Sequence, residues 1–283
     1  MSAMSPVAPA VGAFRKLHES GCFVLPNPWD VGSAVYLQSL GFQALATTSA
    51  GYAFTRGLPD AVPAISRDAM LDHIREVAAA TPLPVNADFQ SGFSSDVEGV
   101  AESVKLCVRT GAAGLSIEDA TGDVAAPLYD HARAVQRVRA ARQAIDETGV
   151  PVVLTARCEA WLVGHPDPAR LAIERLVAFA DAGADCLFAP GVRDLAAIAA
   201  IVKAVAPRPV NVLVSSPGPD LTVARLTDLG VRRISVGSAL ARVAWGAFMH
   251  AATSLARTGS FDALAGAAPF AELNAIFEAP RSR

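Results

Sequence analysis

The feature that most constrains this chain is an alternation repeated along its length: eight short apolar runs separated by longer Ala-rich stretches of helical character. The runs are "CFVLP" (22–26), "QALATT" (43–48), "LPVNAD" (83–88), "GLSIED" (114–119), "PVVLTAR" (151–157), "ADCLFAP" (184–190), "RPVNVLV" (208–214) and "RRISVG" (232–237). Short runs of this kind suit parallel strands buried on both faces and joined by crossover helices. Between them lie helix-like stretches such as "DAMLDHIREVAAA" (68–80), "DVEGVAESVKLCVRTG" (96–111), "ARLAIERLVAFADAG" (169–183) and "LTVARLTDLG" (221–230), several ending in Gly, a common helix stop. Eight such units close naturally into a (β/α)8 barrel. A doubly wound open sheet would more often show fewer strands and a GxGxxG turn after the first, which is missing here. The pattern predicts one barrel domain over 1–283, with additional helices from about 243 to 283 that cap the barrel or pack on a second subunit.

The chain is 52% hydrophobic and 18% charged, enough for a large buried core and too apolar for disorder. A net charge near −3 without a Lys/Arg block argues against nucleic acid and for a small ligand. No uncharged apolar run approaches the ~18 residues a membrane helix needs, and no signal-like start is evident. The four cysteines, Cys22, Cys107, Cys158 and Cys186, show no CxxC pair. Neither a zinc ribbon nor a disulfide framework is expected, and a reduced cytoplasm fits.

In such a barrel the C-terminal strand ends converge on one mouth, so chemistry is sought there. Those ends carry Trp29 and Asp30 after the first run, Thr48, Ser49, Ala50 and Gly51 after the second, Asn86 and Asp88 at the third, and Glu118 and Asp119 at the fourth. Arg157 and Glu159 follow at the fifth, and Asn211 sits in the seventh. Polar groups inside strands this apolar need partners, whether each other, a metal or a ligand. Asp88 and Glu118, with the amide of Asn86, form an oxygen-only set suited to Mg2+ or Mn2+. Arg157 could grip a carboxylate or stabilise an oxyanion, or the three could form a salt-bridge network that merely closes the barrel top. Among the histidines, His18 and His73 fall on helix-like segments expected on the outside, as surface or packing residues. His165, after the fifth run, is near enough to the mouth to be considered, and Cys158 and Cys186 read as core.

The motifs "NPWD", "TTSAGYAFTRGLPD", "NAD", "SIED" and "ARCEAWLVG", in this order over about 20–240, resemble the isocitrate lyase/phosphoenolpyruvate mutase superfamily. The resemblance implies a Mg2+-dependent barrel enzyme that binds an α-keto acid or enolate and makes or breaks C–C or P–C bonds. It implies that Ser49, Ala50 and Gly51 receive the substrate carboxylate, that Asp60, Asp88 and Glu118 hold the metal largely through its water shell, and that Arg157 grips substrate oxygens. Trp29 and Asn211 complete the expected substrate site. The resemblance also suggests a homotetramer, a dimer of dimers with exchanged C-terminal helices.

Two departures shape the expected activity. Asn86 stands where the family has its first metal carboxylate, offering a neutral oxygen for an anion. The segment after the fourth strand, "EDATGDVAAPLYD", has no Lys, Cys or His, whereas the lyases carry a Lys-Lys/Arg-Cys-Gly-His loop there. The P–C bond enzymes keep a lysine where this chain has Ala120 and a histidine where it has Pro190. The expected function is therefore enolate chemistry of decarboxylase type on an oxaloacetate-like substrate. A P–C bond enzyme, a C–C lyase with a non-standard loop residue, and a non-catalytic keto-acid-binding barrel are the alternatives.

Overall fold

The computed structural model describes residues 7–61 and 64–279. All eight apolar runs form strands: β1 Phe23–Leu25, β2 Leu45–Ala46, β3 Val85–Asp88, β4 Gly114–Glu118, β5 Val153–Arg157, β6 Cys186–Phe188, β7 Val210–Leu213 and β8 Arg233–Ser235. The helices are α1 Val7–Leu17, α2 Val31–Ser39, α3 Ser49–Thr55, α4 Arg67–Ala79, α5 Val97–Val108, α6 His131–Thr148, α7 Pro168–Asp181, α8 Leu195–Val205, α9 Val223–Asp228, α10 Ala239–Thr258 and α11 Phe270–Glu278. The strands are all parallel, in the order β1-β8-β7-β6-β5-β4-β3-β2, a nearly closed (β/α)8 barrel.

The strand-to-helix switches are written in the cap residues. Helices α2 to α9 each begin after Asp, Ser or Thr, namely Asp30, Thr48, Ser66, Asp96, Asp130, Asp167, Asp194 and Thr222, whose side chains accept a first-turn backbone N–H. Left-handed glycines, among them Gly111, Gly183 and Gly230, follow α5, α7 and α9 and return the chain to the next strand.

Among the described residues, the ladder is open only between β1 and β2, and one backbone bond and one side chain bridge that seam. Ala46 N–H donates to the Pro26 carbonyl at 3.0 Å. Buried Asn27 donates to Thr47 O at 2.9 Å, while its Oδ1 accepts N–H groups of Val236 and Gly237 at 3.0 and 2.8 Å. One amide thus ties the ends of β1, β2 and β8 together.

The main core packs strands against helices, with Phe14, Met70, Ile74, Phe89, Leu115, Ile145 and Phe179 fully buried within it, and a second, smaller cluster gathers Ala34, Leu37, Leu45, Val77 and Val85. Cys107, Cys158 and Cys186 lie in this core, as expected of Cys158 and Cys186. His18 and His73, expected as surface or packing residues, take the packing role and turn inward. His73 stacks on Tyr52 at a centroid distance of 4.0 Å, and His18 packs edge-on against Phe14 and Phe23. Burial lowers His18 to about 3, helped by the Arg233 charge, and lowers His73 to about 4. Beyond β8, α10 exposes Val243, Trp245, Phe248 and Met249, whereas α11 packs back on α2, with the Phe277 ring against Gly32. Among the described residues, no helix is long and apolar enough to cross a membrane.

Candidate active site

The C-terminal strand ends enclose a cavity of about 220 Å3, whose wall includes Ser49, Ala50, Asp60, Asn86, Asp88, Arg157 and Asn211. Three expected site residues do not line it. Trp29 stands beside Gly51 beneath α3, and Glu118 lies behind Arg157.

Asp88, at the tip of β3, accepts the Ser49 backbone N–H and hydroxyl on Oδ2, both at 2.9 Å, and the Arg157 guanidinium on Oδ1 at 2.7 Å. Ser49 reaches it because Thr48 caps α3, which leaves the first-turn amide of Ser49 free to face a carboxylate. The donors assigned to a substrate carboxylate are thus directed at Asp88, and the Gly51 amide bonds Thr48 Oγ1 instead. Beyond Asp88 the chain turns sharply: Gln90 and Gly92 are left-handed, and Gln90 O accepts the Glu118 N–H at 3.1 Å. A side chain at Gly92 would press on Ile117 and Val100, so glycine suits the turn twice over.

Arg157 is the centre of the site. It binds Asp88 at 2.7 Å, Glu118 at 3.1 Å and Glu159 at 2.8 Å, with its guanidinium 5.3 Å from the Phe188 ring centroid. The paired register of β4 and β5 sets Glu118 opposite Arg157, which makes the contact obligatory. The salt-bridge network foreseen as one reading is therefore present, with Glu159 as an unassigned third arm two residues along the chain. Burial opposes the Arg157 charge, but Glu159, Glu118 and Asp88 more than offset it and hold its pKa above the ordinary arginine value. Burial raises Glu118 to about 8 against the opposing pull of Arg157; burial also raises Glu159 above its ordinary value. Asp119, on the opposite strand face, leaves the site to bond Arg175 at 2.8 Å and the Glu159 amide at 2.8 Å.

Asp60 reaches the cavity rim on the loop after α3, where desolvation and then Asp88 raise its pKa. Asn86 faces inward one layer below Asp88, and its Oδ1 is buried without a hydrogen-bond partner. Among the described residues, no three His, Cys, Asp or Glu side chains converge as ready-made metal ligands. The donor set nevertheless fits a hard divalent cation. Among the described residues, the cavity wall carries no His, Cys or Met, its metal-ligating types are the oxygens of Asp60, Asp88 and Asn86, and the Asn86 Oδ1 is orphaned. Metal binding would require Asp88 and Glu118 to share themselves with Arg157.

The loop after β4 folds on itself through a bridge between Ala120 and Leu128, with Thr121 Oγ1 donating to Ala126 O at 2.6 Å. Asp123 is exposed and Thr121 half-buried in this loop. His165 binds its own turn, accepting the Asp167 amide at 3.1 Å, and does not line the cavity. Sequence reasoning missed the cavity wall formed by Arg233, Ser235 and Arg242. Alternation along β8 was the available signal, because Arg233 and Ser235 share one face.

The family model described as phosphoenolpyruvate phosphomutase matches residues 14–256. An uncharacterized protein of Mycobacterium tuberculosis is 37% identical over 268 residues, covering 93% of this chain and 95% of its own. Oxaloacetate decarboxylase of Rhodopseudomonas palustris is 29% identical over 219 residues, covering 75% and 72%. The crystal structure of a candidate lyase/mutase of Burkholderia cenocepacia J2315 superposes with a TM-score of 0.93 at 49% identity, covering 98% of this chain and 99% of that one. Oxaloacetate acetylhydrolase bound to its product oxalate gives 0.84 at 28% identity, covering 96% and 94%. Sequence motifs, barrel and strand-end carboxylates agree with these matches: the chain belongs to the phosphoenolpyruvate phosphomutase family, within the isocitrate lyase/phosphoenolpyruvate mutase superfamily.

Proposed function

We propose that the chain is a Mg2+- or Mn2+-dependent carbon–carbon lyase that acts on a small α-keto acid through an enolate, with decarboxylation of an oxaloacetate-like substrate as its reaction. The observation that carries this reading is Arg157, fixed by Asp88, Glu118 and Glu159 at the edge of a cavity of about 220 Å3. That volume is below the ~300 Å3 of the smallest typical drug-sized pockets and suits a substrate of a few carbons. The names of two similar proteins, oxaloacetate decarboxylase and oxaloacetate acetylhydrolase, support the substrate class.

Asp60, Asp88, Glu118 and Asn86 would hold the ion, which when bound supplies Lewis-acid stabilisation of negative charge on oxygen. The chain's own groups do the rest. Arg157 is preorganised to donate to an oxygen on which charge develops, and its position does not have to be reorganised during the reaction. Ser49 and Ala50 bound the carboxylate end, while Leu25, Leu162, Phe188 and Leu213 limit water. CO2 departs without a general base, so a loop with no Lys, Cys or His is compatible with this reaction and poorly suited to the family's loop-assisted cleavages. We further propose a cytoplasmic homo-oligomer, a dimer of dimers, in which the exposed apolar face of α10 is covered.

Calorimetric titration of metal-stripped protein with oxalate, with and without Mg2+, tests the site. Binding that requires Mg2+ is expected, followed by CO2 release from oxaloacetate. Tight binding without turnover would make the chain a keto-acid-binding barrel. Free phosphate from a phosphonate, or two organic fragments, would place the chemistry at a P–C or another C–C bond.

A further inference from the structure

Behind the cavity lies a second polar network that touches no part of its wall. Asp119 immediately follows β4, and the alternation that aims Glu118 at Arg157 aims Asp119 the other way, towards α7. It is only 3% exposed, and every polar group it carries is bonded. Its backbone N–H donates to Arg157 O at 3.2 Å, and its Oδ1 accepts the Glu159 N–H at 2.8 Å, so it grips the chain on both sides of Cys158. Its Oδ2 accepts from Arg175 at 2.8 Å, and its carbonyl accepts the Tyr129 N–H at 2.9 Å.

Arg175, on α7, is 5% exposed, and its other terminal nitrogen donates to Tyr129 O at 2.7 Å. One guanidinium therefore joins Asp119 to the far end of the loop after β4. That end is held from its other side by buried Arg137, whose guanidinium lies 4.0 Å from the Tyr129 ring centroid and donates to Ser94 O at 2.9 Å and Ser95 O at 3.1 Å. A buried ion pair adds little stability over an apolar pair of the same volume, so what Asp119 and Arg175 contribute is direction. The residue that needs direction is Glu159. Asp88 and Glu118 lie on strands, whose ladders place them, whereas Glu159 stands two residues past the end of β5 and holds Arg157 Nε at 2.8 Å. Its own amide is held by Asp119.

We propose that Asp119 and Arg175 are positioning residues, which fix the Glu159 carboxylate and through it the Nε side of the Arg157 guanidinium. The consequence for turnover rests on the decarboxylase reading above; the consequence for the pose of Arg157 does not. A donor to an oxyanion acts on charge that develops in the transition state, so a displaced guanidinium lowers kcat more than it raises KM.

The experiment joins NMR of arginine Nε–H groups to kinetics. The Arg157 Nε–H, identified as the signal missing from Arg157→Lys, should exchange slowly with solvent in the wild type, because it is bonded to Glu159. Asp119→Asn keeps the volume and removes the charge, and Arg175→Lys loses the fork that spans Asp119 and Tyr129 O. Each should speed that exchange about tenfold or more, and Arg175→Met extends the series if it folds. With oxaloacetate and Mg2+, kcat in Asp119→Asn and Arg175→Lys should fall roughly tenfold to a hundredfold, the scale of a misplaced catalytic group, with a smaller change in KM. Added to Arg157→Lys, Asp119→Asn should cost nearly nothing more, since residues that act through one another are not additive. Unchanged exchange in both single variants overturns the proposal, as does an undiminished kcat or a full further loss in the double variant. A wild type that leaves oxaloacetate intact removes the decarboxylase reading alone, and the Nε–H exchange still decides whether Asp119 and Arg175 set the pose of Arg157.

Discussion

Arg157, half-buried, and Arg233, buried, both extend inward from strands and line the same cavity, yet their surroundings are opposites. Three carboxylates hold Arg157; only neutral oxygens and an imidazole hold Arg233. The difference teaches that charge in this barrel is sorted by wall. The excess negative side suits a cation, and the excess positive side suits an anion, a separation that would orient a ligand charged at one end and metal-chelating at the other.

The most damaging way to break this contrast is Arg157→Ala, which leaves three carboxylates, buried Glu159 and half-buried Asp88 and Glu118, without their cation. Turnover should fall by about 10²-fold or more, as when a preorganised oxyanion donor is lost. Denaturant melts should show a loss of about 3–5 kcal/mol, typical of removing one partner from a buried ion pair. Full turnover in that variant would show that Arg157 has no part in oxyanion stabilisation.

Asn86→Asp sharpens the acidic wall. Added to Asp60 and Asp88, an anion in place of a neutral oxygen should tighten Mg2+ binding roughly tenfold in calorimetry, since hard cations are held chiefly by charge. Weaker binding would mean that Asn86 is not a ligand.

The opposite wall can be read through His18. Its pKa of about 3 reflects burial first and the Arg233 charge second, so Arg233→Met should raise it only part-way towards 6.5 in an NMR titration. No movement would show that the two groups are electrostatically independent.

The two buried histidines also give stability a pH slope. His18 and His73 are neutral when folded down to about 3 and about 4, whereas unfolded histidine takes a proton near 6.5. The unfolded state therefore binds more protons between those values, and stability, complete above about pH 6.5, falls as pH drops towards 4. The slope should approach about 1.4 kcal/mol per unit for each histidine, and glutamine at both positions should flatten it.

The barrel was legible because each strand is a short apolar run and each turn into a helix carries an Asp, Ser or Thr cap. The acidic wall was legible for the same reason: Asp88, Glu118 and Arg157 each end a strand, and a barrel brings such ends together. Asp60 had no local signal and came from the family resemblance. Glu159 was seen at its strand end but given no role, although it lies two residues from Arg157. The β7–β8 wall was less accessible, because "RRISVG" opens with two arginines of which one faces out and one in. Arg232 bonds Gly21 O on the outside, and Arg233 enters the barrel. His18 and His73 were left between surface and packing because helix spacing marks a buried stripe without saying which polar residue joins it.

Asn27 has a consequence for how the ring breathes. Seven of the strand junctions are backbone ladders, but the eighth is held by the side chain of one asparagine and a single backbone bond. That junction can part without unzipping a ladder, so the amides of Ala46, Val236 and Gly237 should trade their hydrogens for deuterium sooner than those of β4 and β5. The barrel thus carries a hinge line on the far side from Arg157, and small changes in diameter can occur there while the carboxylates around the guanidinium stay in place.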